Sequence, residues 1–187
     1  MGMVEIRMHG RGGQGTVIAS KILASAAIHE SRYSQAFPEF GVERRGSPVE
    51  AFTRISDSRI YVHSKIYEPD HVIVLDPTLI GYVDIIKGLK AGGIILINSQ
   101  KEPDEFDFGP EYRVATVNAN SIAIRYGLGS RLAPVVNTAI IGAFVKVSNI
   151  VNLESVLLGI EEEVPIKKEK NKFAAEDAFR EVKIKGI

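Results

Sequence analysis

Residues 3–15, Met3-Val4-Glu5-Ile6-Arg7-Met8-His9-Gly10-Arg11-Gly12-Gly13-Gln14-Gly15, carry the reading on which the fold turns. Positions 3–9 are short and rich in Val, Ile and Met, and they run directly into glycines, as a strand ending in a tight loop does. Residues 16–28 then read as a helix. Ala19, Ser20, Ala24, Ser25, Ala26 and Ala27 give it small faces beside Val17, Ile18, Ile22 and Leu23, suited to close packing on a sheet. Gly10, Gly12 and Gly15 satisfy GxGxxG between a strand and a helix, the context in which that pattern carries weight. Glycines there let the backbone turn and approach a ligand, while the first N–H groups of the helix lack intrahelical partners and favour an anion. Gly13, Gln14 and the charge of Arg11 complete the candidate binding loop. The same glycines also suit a tight turn that serves packing alone, and both readings stand.

Working outward, residues 33–47 lose periodicity and turn to aromatics, charges, Gly and Pro, which reads as a structured loop. Phe37 and Phe40 are large apolar rings in this polar stretch and are expected at a subunit interface. Arg44 and Arg45 form a second local basic spot, able to meet phosphate or carboxylate in bidentate fashion or to pair with Glu39, Glu43 or a neighbouring subunit. A dinucleotide site would place an acidic residue about 20 positions past the fingerprint. Position 35 is Gln and Glu39 lies in the Pro-containing loop, so binding of NAD rests on the glycines alone.

Residues 49–55 and 59–63 read as strands joined by a turn at Ser56-Asp57-Ser58, an antiparallel addition. Residues 72–75 and 94–97 are continuous Val, Ile and Leu runs, expected of parallel strands buried on both faces. Asp76 and Asn98 close these runs where loops leave the carboxyl edge of a sheet, and a short helix is expected over 82–89. Residues 113–117 form a further strand. Asn118 and Ser121 can cap a helix to about Tyr126. Pro134 suits the first turn of a buried helix through Val147, and Asn152 can cap a helix over 153–163. From 161 to 185 acidic and basic residues balance, with Ala175, Ala178, Phe179 and Val182 as a thin apolar stripe, which predicts a charged terminal helix (161–187) docked on the rest. The fold class expected is α/β: a Rossmann-like, mostly parallel sheet with flanking helices and an antiparallel strand addition.

With 187 residues, 45% hydrophobic and 25% charged, the chain is expected to form one domain over 1–187 with a core that needs no staple. Its 23 basic and 23 acidic residues cancel, leaving no global drive toward nucleic acid or anionic lipid, so an anion site must be local. The absence of cysteine excludes thiolate nucleophiles, disulfides and iron–sulfur ligation by this chain. His9, His29, His63 and His71 lack the spacing of a metal motif, so no metal is assigned. No basic leader and no apolar run of about 18 residues is present, and the chain reads as cytoplasmic, without nucleic-acid or membrane contacts. Neither GxSxG nor GxxxxGK[ST] occurs, and Asp76 and Asp104 have no partner at motif spacing. The chain reads as a binding piece with no catalytic centre of its own.

The string from Ile6 to Gly15, with Phe37-Pro38-Glu39-Phe40-Gly41-Val42-Glu43-Arg44-Arg45-Gly46-Ser47-Pro48-Val49 and Ala51-Phe52-Thr53-Arg54-Ile55, closely resembles the gamma subunits of the pyruvate:ferredoxin (2-oxoacid:ferredoxin) oxidoreductase family. The resemblance continues through Tyr67-Glu68-Pro69-Asp70, Asp76-Pro77-Thr78-Leu79, Asn137-Thr138-Ala139 and Gly142-Ala143-Phe144. It implies a complex that oxidatively decarboxylates a 2-oxoacid on thiamine diphosphate, passes electrons through iron–sulfur clusters to ferredoxin and forms an acyl-CoA. The partners it implies are alpha, beta and delta subunits that carry the thiamine diphosphate and the clusters. This chain would close the assembly and is a candidate seat for coenzyme A, with Gly10 to Gly15, Arg44 and Arg45 as the binding residues. The branched-chain homologue has a similar gamma chain, so the oxoacid stays open. An autonomous NAD(P)- or flavin-binding oxidoreductase remains the alternative from the glycine fingerprint alone.

Overall fold

A computed structural model describes residues 2–39 and 46–185. Among the described residues seven strands form one sheet: β1 (Val4–Arg11), β2 (Tyr33–Pro38), β3 (Pro48–Ser56), β4 (His71–Val74), β5 (Ile94–Asn98), β6 (Arg113–Val117) and β7 (Lys183–Ile184), in the spatial order β2-β3-β1-β4-β5-β6-β7. β1, β4, β5 and β6 run parallel, and β3 pairs antiparallel with both β1 and β2, as β7 does with β6. The helices are α1 (Thr16–His29), α2 (Ala119–Arg125), α3 (Asn137–Ser148), α4 (Leu153–Glu163) and α5 (Lys168–Glu181). The expected α/β sheet with flanking helices and an antiparallel addition is therefore present.

The two faces of the sheet are covered differently. Ile6, Met8, Ile55, Ile73, Leu75, Leu96 and Ala115 share a core with residues of all five helices, whereas Val72, Val74, Ile95, Ile97 and Val114 pack under Ile85, Leu89 and the half-buried Phe106 and Phe108. Helices thus lie on one face only, among the described residues. Their contacts are close because the sequence supplies small residues: a Cβ on Gly142 of α3 would sit 2.1 Å from the Ala175 carbonyl oxygen of α5, and one on Gly159 of α4 would sit 2.7 Å from that of Ile22 of α1. Ala175 and Ala178 of the expected stripe are fully buried.

Several local expectations are corrected. The stretch read as a loop from residue 33 opens instead as edge strand β2, in which Phe37 lies opposite Phe52 and stacks on it with ring centroids 5.3 Å apart. Phe37 is thus packed within the chain; Phe40 and the rest of residues 40–45 lie outside the described residues. Residues 59–63 are not a strand, because both edges of β3 are already occupied by β1 and β2. They cross the open face of the sheet, where the buried Arg54 donates to the carbonyl oxygens of Ser64 (2.7 Å) and Val62 (3.5 Å) and pairs with Glu5 at 2.7 Å. No helix forms over 82–89. The chain after β4 makes a 3-10 turn at Pro77–Leu79 and then further turns, tied down by Arg7 Nη2 donating to the carbonyl oxygens of Ile85 (3.0 Å) and Lys87 (2.8 Å). Pro134 precedes α3 and bridges Gly129, with Val136 at the N-cap. Asn118 caps α2 through its side chain, 3.0 Å from the Ser121 N–H, whereas Asn152 flanks α4 without a side-chain cap. Strand β7 was not foreseen.

Candidate functional site

The glycine turn joins β1 to α1. Gly10 must lack a side chain because a Cβ there would fall 2.1 Å from Thr16 Oγ1, and Gly15 has a φ of 81° with Asn137 Nδ2 only 2.7 Å from where its Cβ would be. Gly13 also takes a positive φ, of 100°, but faces open space. Gly15 caps α1 with no side chain, so the first N–H groups of a 14-residue helix point toward the loop without side-chain acceptors. The loop answers some of its own N–H groups: Arg11 N–H donates to Gln14 Oε1 (2.8 Å), Gln14 N–H to the Arg11 carbonyl (3.1 Å) and Gly12 N–H to the Ser47 carbonyl (2.9 Å).

Topology opens a crevice beside this turn. The chain leaving β1 enters α1 on the helical face, while the chain leaving the neighbouring parallel strand β4 passes to the other face, where Ile80 and Val83 pack. Such a divergence at the carboxyl edge of parallel strands is where α/β sheets bind ligands. A cleft of about 500 Å³ lies there, lined by Arg11, Gly12, Gly13 and Gln14 from the first loop and by Asp76, Thr78, Asn98, Asn120 and Leu132 from later segments.

A polar network crosses the cleft floor. Asp76 Oδ2 accepts from Gln14 Nε2 at 2.9 Å and lies 3.3 Å from Arg11 Nε, and its Oδ1 accepts from the Thr78 N–H (2.9 Å) and hydroxyl (2.6 Å). Arg11 also donates to Thr78 Oγ1 (2.9 Å) and to the Gly46 carbonyl (3.1 Å). The charge expected to await a ligand at Arg11 is therefore matched by a carboxylate. Asn98, at the end of β5, donates from Nδ2 to the Leu75 carbonyl (2.9 Å) and to Asn120 Oδ1 (3.1 Å), and its Oδ1 accepts the Asn120 N–H at 3.3 Å. Thr16 Oγ1 is buried next to Gly10 with no hydrogen-bond partner among the described residues.

Behind the loop, on the open face of the sheet, His9 is buried and its pKa is pushed down to about 3, first by burial and then by the positive charges of Arg7 and Lys65. Its Nε2 accepts from Arg7 Nε at 3.0 Å, which places the ring hydrogen on Nδ1, 3.4 Å from Glu50 Oε1. A neutral, doubly engaged ring of this kind holds structure and does not line the cleft. Among the described residues, no group of three His, Cys, Asp or Glu capable of holding a metal occurs, and no helix among them is long and apolar enough to cross a membrane.

Of the residues singled out in the sequence, Arg11, Gly12, Gly13 and Gln14 line the cleft, while Gly10 and Gly15 shape the turn against Thr16 and Asn137. Arg44 and Arg45 lie outside the described residues. Asp76 appeared to have no partner because its partners, Arg11 and Gln14, are more than 60 residues away in sequence. Thr78 had been quoted only as part of the family resemblance, with no role in the site, and Asn120 was missed altogether. The usable signal was that Asp76 and Asn98 each end a buried apolar run.

A parallel-cored sheet with a glycine turn opening its first helix, and a polar cleft at the carboxyl edge, defines an α/β domain of the Rossmann-like class. Comparison with known proteins narrows this. The family model described as pyruvate ferredoxin/flavodoxin oxidoreductase matches residues 5–181. The common subunit gamma of the pyruvate/ketoisovalerate oxidoreductases of Thermococcus kodakarensis is 51% identical over 181 residues, covering 95% of this chain and 96% of that protein. The pyruvate synthase subunit PorC of Methanocaldococcus jannaschii is 50% identical, covering 96% and 97%. Among solved structures, the pyruvate oxidoreductase subunit PORC of Thermotoga maritima superposes with a TM-score of 0.81 at 35% identity over the full length of both chains. A 2-oxoglutarate:ferredoxin oxidoreductase of Magnetococcus marinus shares the fold, with a TM-score of 0.72 at 17% identity, over 30% of its own length. The chain belongs to the pyruvate ferredoxin/flavodoxin oxidoreductase family.

Proposed function

We propose that this chain is the gamma subunit of a pyruvate (2-oxoacid):ferredoxin oxidoreductase and that its cleft seats coenzyme A. The observation that carries the reading is the end-to-end match to proteins named as gamma or PorC subunits, at about half identity over at least 95% of both chains. In the reaction, a 2-oxoacid loses CO2, its acyl group passes to coenzyme A, and two electrons leave to ferredoxin. Thiamine diphosphate and the iron–sulfur clusters belong to the alpha, beta and delta subunits on this reading, since a chain without cysteine offers no thiolate for a cluster.

What this chain contributes is binding and placement. Arg11 ties the glycine loop to Thr78 and to the Gly46 carbonyl, which fixes the walls of the cleft. The first turn of α1 then supplies fixed donors that need no reorganisation when a ligand arrives.

The test is reconstitution. The purified chain alone, given pyruvate, coenzyme A and a dye acceptor, is expected to show no turnover, and addition of the other three subunits is expected to restore it. Turnover by the single chain would overturn the reading in favour of an autonomous enzyme. The relative named as common to pyruvate and ketoisovalerate enzymes favours a second form of the proposal, in which one gamma chain serves two oxoacid complexes. Affinity capture of this chain that brings down two distinct sets of partner chains supports that form.

A further inference from the structure

We infer that β2 is an edge at which two copies of this chain pair, antiparallel and centred on Gln35, so that their two sheets run on as one. β2 ends the sheet, with β3 on its inner side only. The register of that pair, with the Glu39 N–H donating to the Glu50 carbonyl at 2.9 Å, turns the backbone groups of residues 33, 35, 37 and 39 toward β3. The N–H and carbonyl groups of Ser34 and Ala36 and the carbonyl of Pro38 therefore turn outward, and they have no hydrogen-bond partner among the described residues. Proteins guard such an edge with charged side chains, bulges or very short strands. The opposite edge of the sheet is guarded in this way, because β7 is two residues long, whereas β2 is six residues long and carries no charged side chain.

The strand is complementary to itself, which selects a second copy as its partner. Pairing centred on Gln35 sets Ser34 opposite Ala36 of the second copy, so every outward N–H of both strands meets an outward carbonyl. Gln35 then faces Gln35, and Tyr33 faces Phe37, at the closer positions where aromatic cross-strand pairs are favourable. Tyr33 is 50% exposed, and Phe37, with Phe52 stacked on it, is half-buried. No like charges oppose each other, since Arg32 falls opposite Pro38 and Glu39 opposite Ser31. The pairing also has defined ends: the Arg32 N–H already donates to the Ala27 carbonyl at 3.0 Å, and Pro38 has no N–H to give.

The chain has no cysteine, so a single introduced one reports on its own position. In the Gln35-centred register the two Gln35 Cα atoms lie about 4.5 Å apart, within the span of about 4.4–6.8 Å that a disulfide bridges, whereas the two Tyr33 Cα atoms lie about 13 Å apart along the strands. Under mild oxidation Gln35→Cys is expected to run on a non-reducing gel at twice the 20.5 kDa of one chain, both as the full chain and in the complete enzyme, while Tyr33→Cys stays at the single mass. Ala36→Pro removes an outward N–H and leaves the β2–β3 ladder intact, so sedimentation is expected to change from dimer to monomer with the circular dichroism of the folded chain retained. The inference is overturned if Gln35→Cys stays at the single mass, links to a different chain of the enzyme, or links no better than Tyr33→Cys. A folded Ala36→Pro chain that is still a dimer overturns it as well. Should Ala36→Pro unfold the chain, the two cysteine variants decide the matter alone.

Discussion

The two faces of the sheet are covered by opposite means. On the helical face the covering backbone satisfies its own hydrogen bonds, so only shape has to match, and Ala and Gly residues let α1 meet α4 and α3 meet α5 at backbone contact. On the other face the covering segments, 57–70 and 76–92, are irregular and leave carbonyl oxygens without ladder partners. Two buried arginines, Arg54 and Arg7, reach up from the sheet to supply donors to four of them. A buried guanidinium is stable in such a place because its fork of donors is filled. The cleft lies where these two kinds of covering part company, which leaves its walls partly rigid helix and partly pinned loop.

The largest break in this contrast is expected from Arg54→Ala. It leaves Glu5 and the Ser64 carbonyl without their donor, and removal of one partner of a buried pair costs about 3–5 kcal/mol. Urea unfolding should show the loss, and a change below about 1 kcal/mol would mean that water replaces the arginine on the open face. Gly142→Ala tests the helical face. Its Cβ would meet the Ala175 backbone at 2.1 Å, so α5 must shift, at a cost of about 2–3 kcal/mol. Fluorescence or circular dichroism unfolding at several urea concentrations measures it, and a neutral result would show that α5 docks loosely.

A third effect depends on pH. His9 keeps a folded pKa near 3, below its unfolded value of about 6.5, so between those values the unfolded chain binds the extra proton and stability falls as pH falls. The loss from this group is expected to be about 2 kcal/mol between pH 7 and pH 5. His9→Gln, which still offers Arg7 an acceptor, should flatten that part of the curve relative to wild type. Burial lowers the His71 pKa in the same direction, so the difference between the two proteins is the informative quantity. The smallest effect on stability belongs to the junction of the two coverings. Arg11→Ala with Gly13→Ala is expected to raise the KM for coenzyme A about fivefold in the complete enzyme, with a stability change of about 1 kcal/mol or less. An unchanged KM would make the loop purely structural.

How much of this was legible in the sequence divides along the same line. Residues 3–28 were readable because strand, turn and helix follow from local spacing, and the runs at 72–75 and 94–97 announced strands buried on both faces through composition alone. The charged stretch expected as one terminal helix over 161–187 holds a shorter one, Lys168–Glu181, because residues 161–163 complete α4 and Lys183–Ile184 pair with β6 as β7. Residues 59–63 and 82–89 were misread because their conformation is imposed by partners: the edges of β3 were occupied, and Arg54 and Arg7 provided the hydrogen bonds that a strand or helix would otherwise have made.

The sequence by itself determined the class of fold, the glycine turn and the lack of thiolate chemistry, since each depends on residue type and near-neighbour spacing. The tertiary structure alone decided what the turn faces. Gln14 and Asp76 are 62 residues apart, as are Arg7 and Ile85 by 78, and no local pattern brings such groups within hydrogen-bond distance. The balance of charge at the cleft, with Arg11 matched by Asp76, is a property of the sheet order that places β4 beside β1. A motif shows which donors the chain owns, whereas the fold determines which of them remain free for a ligand.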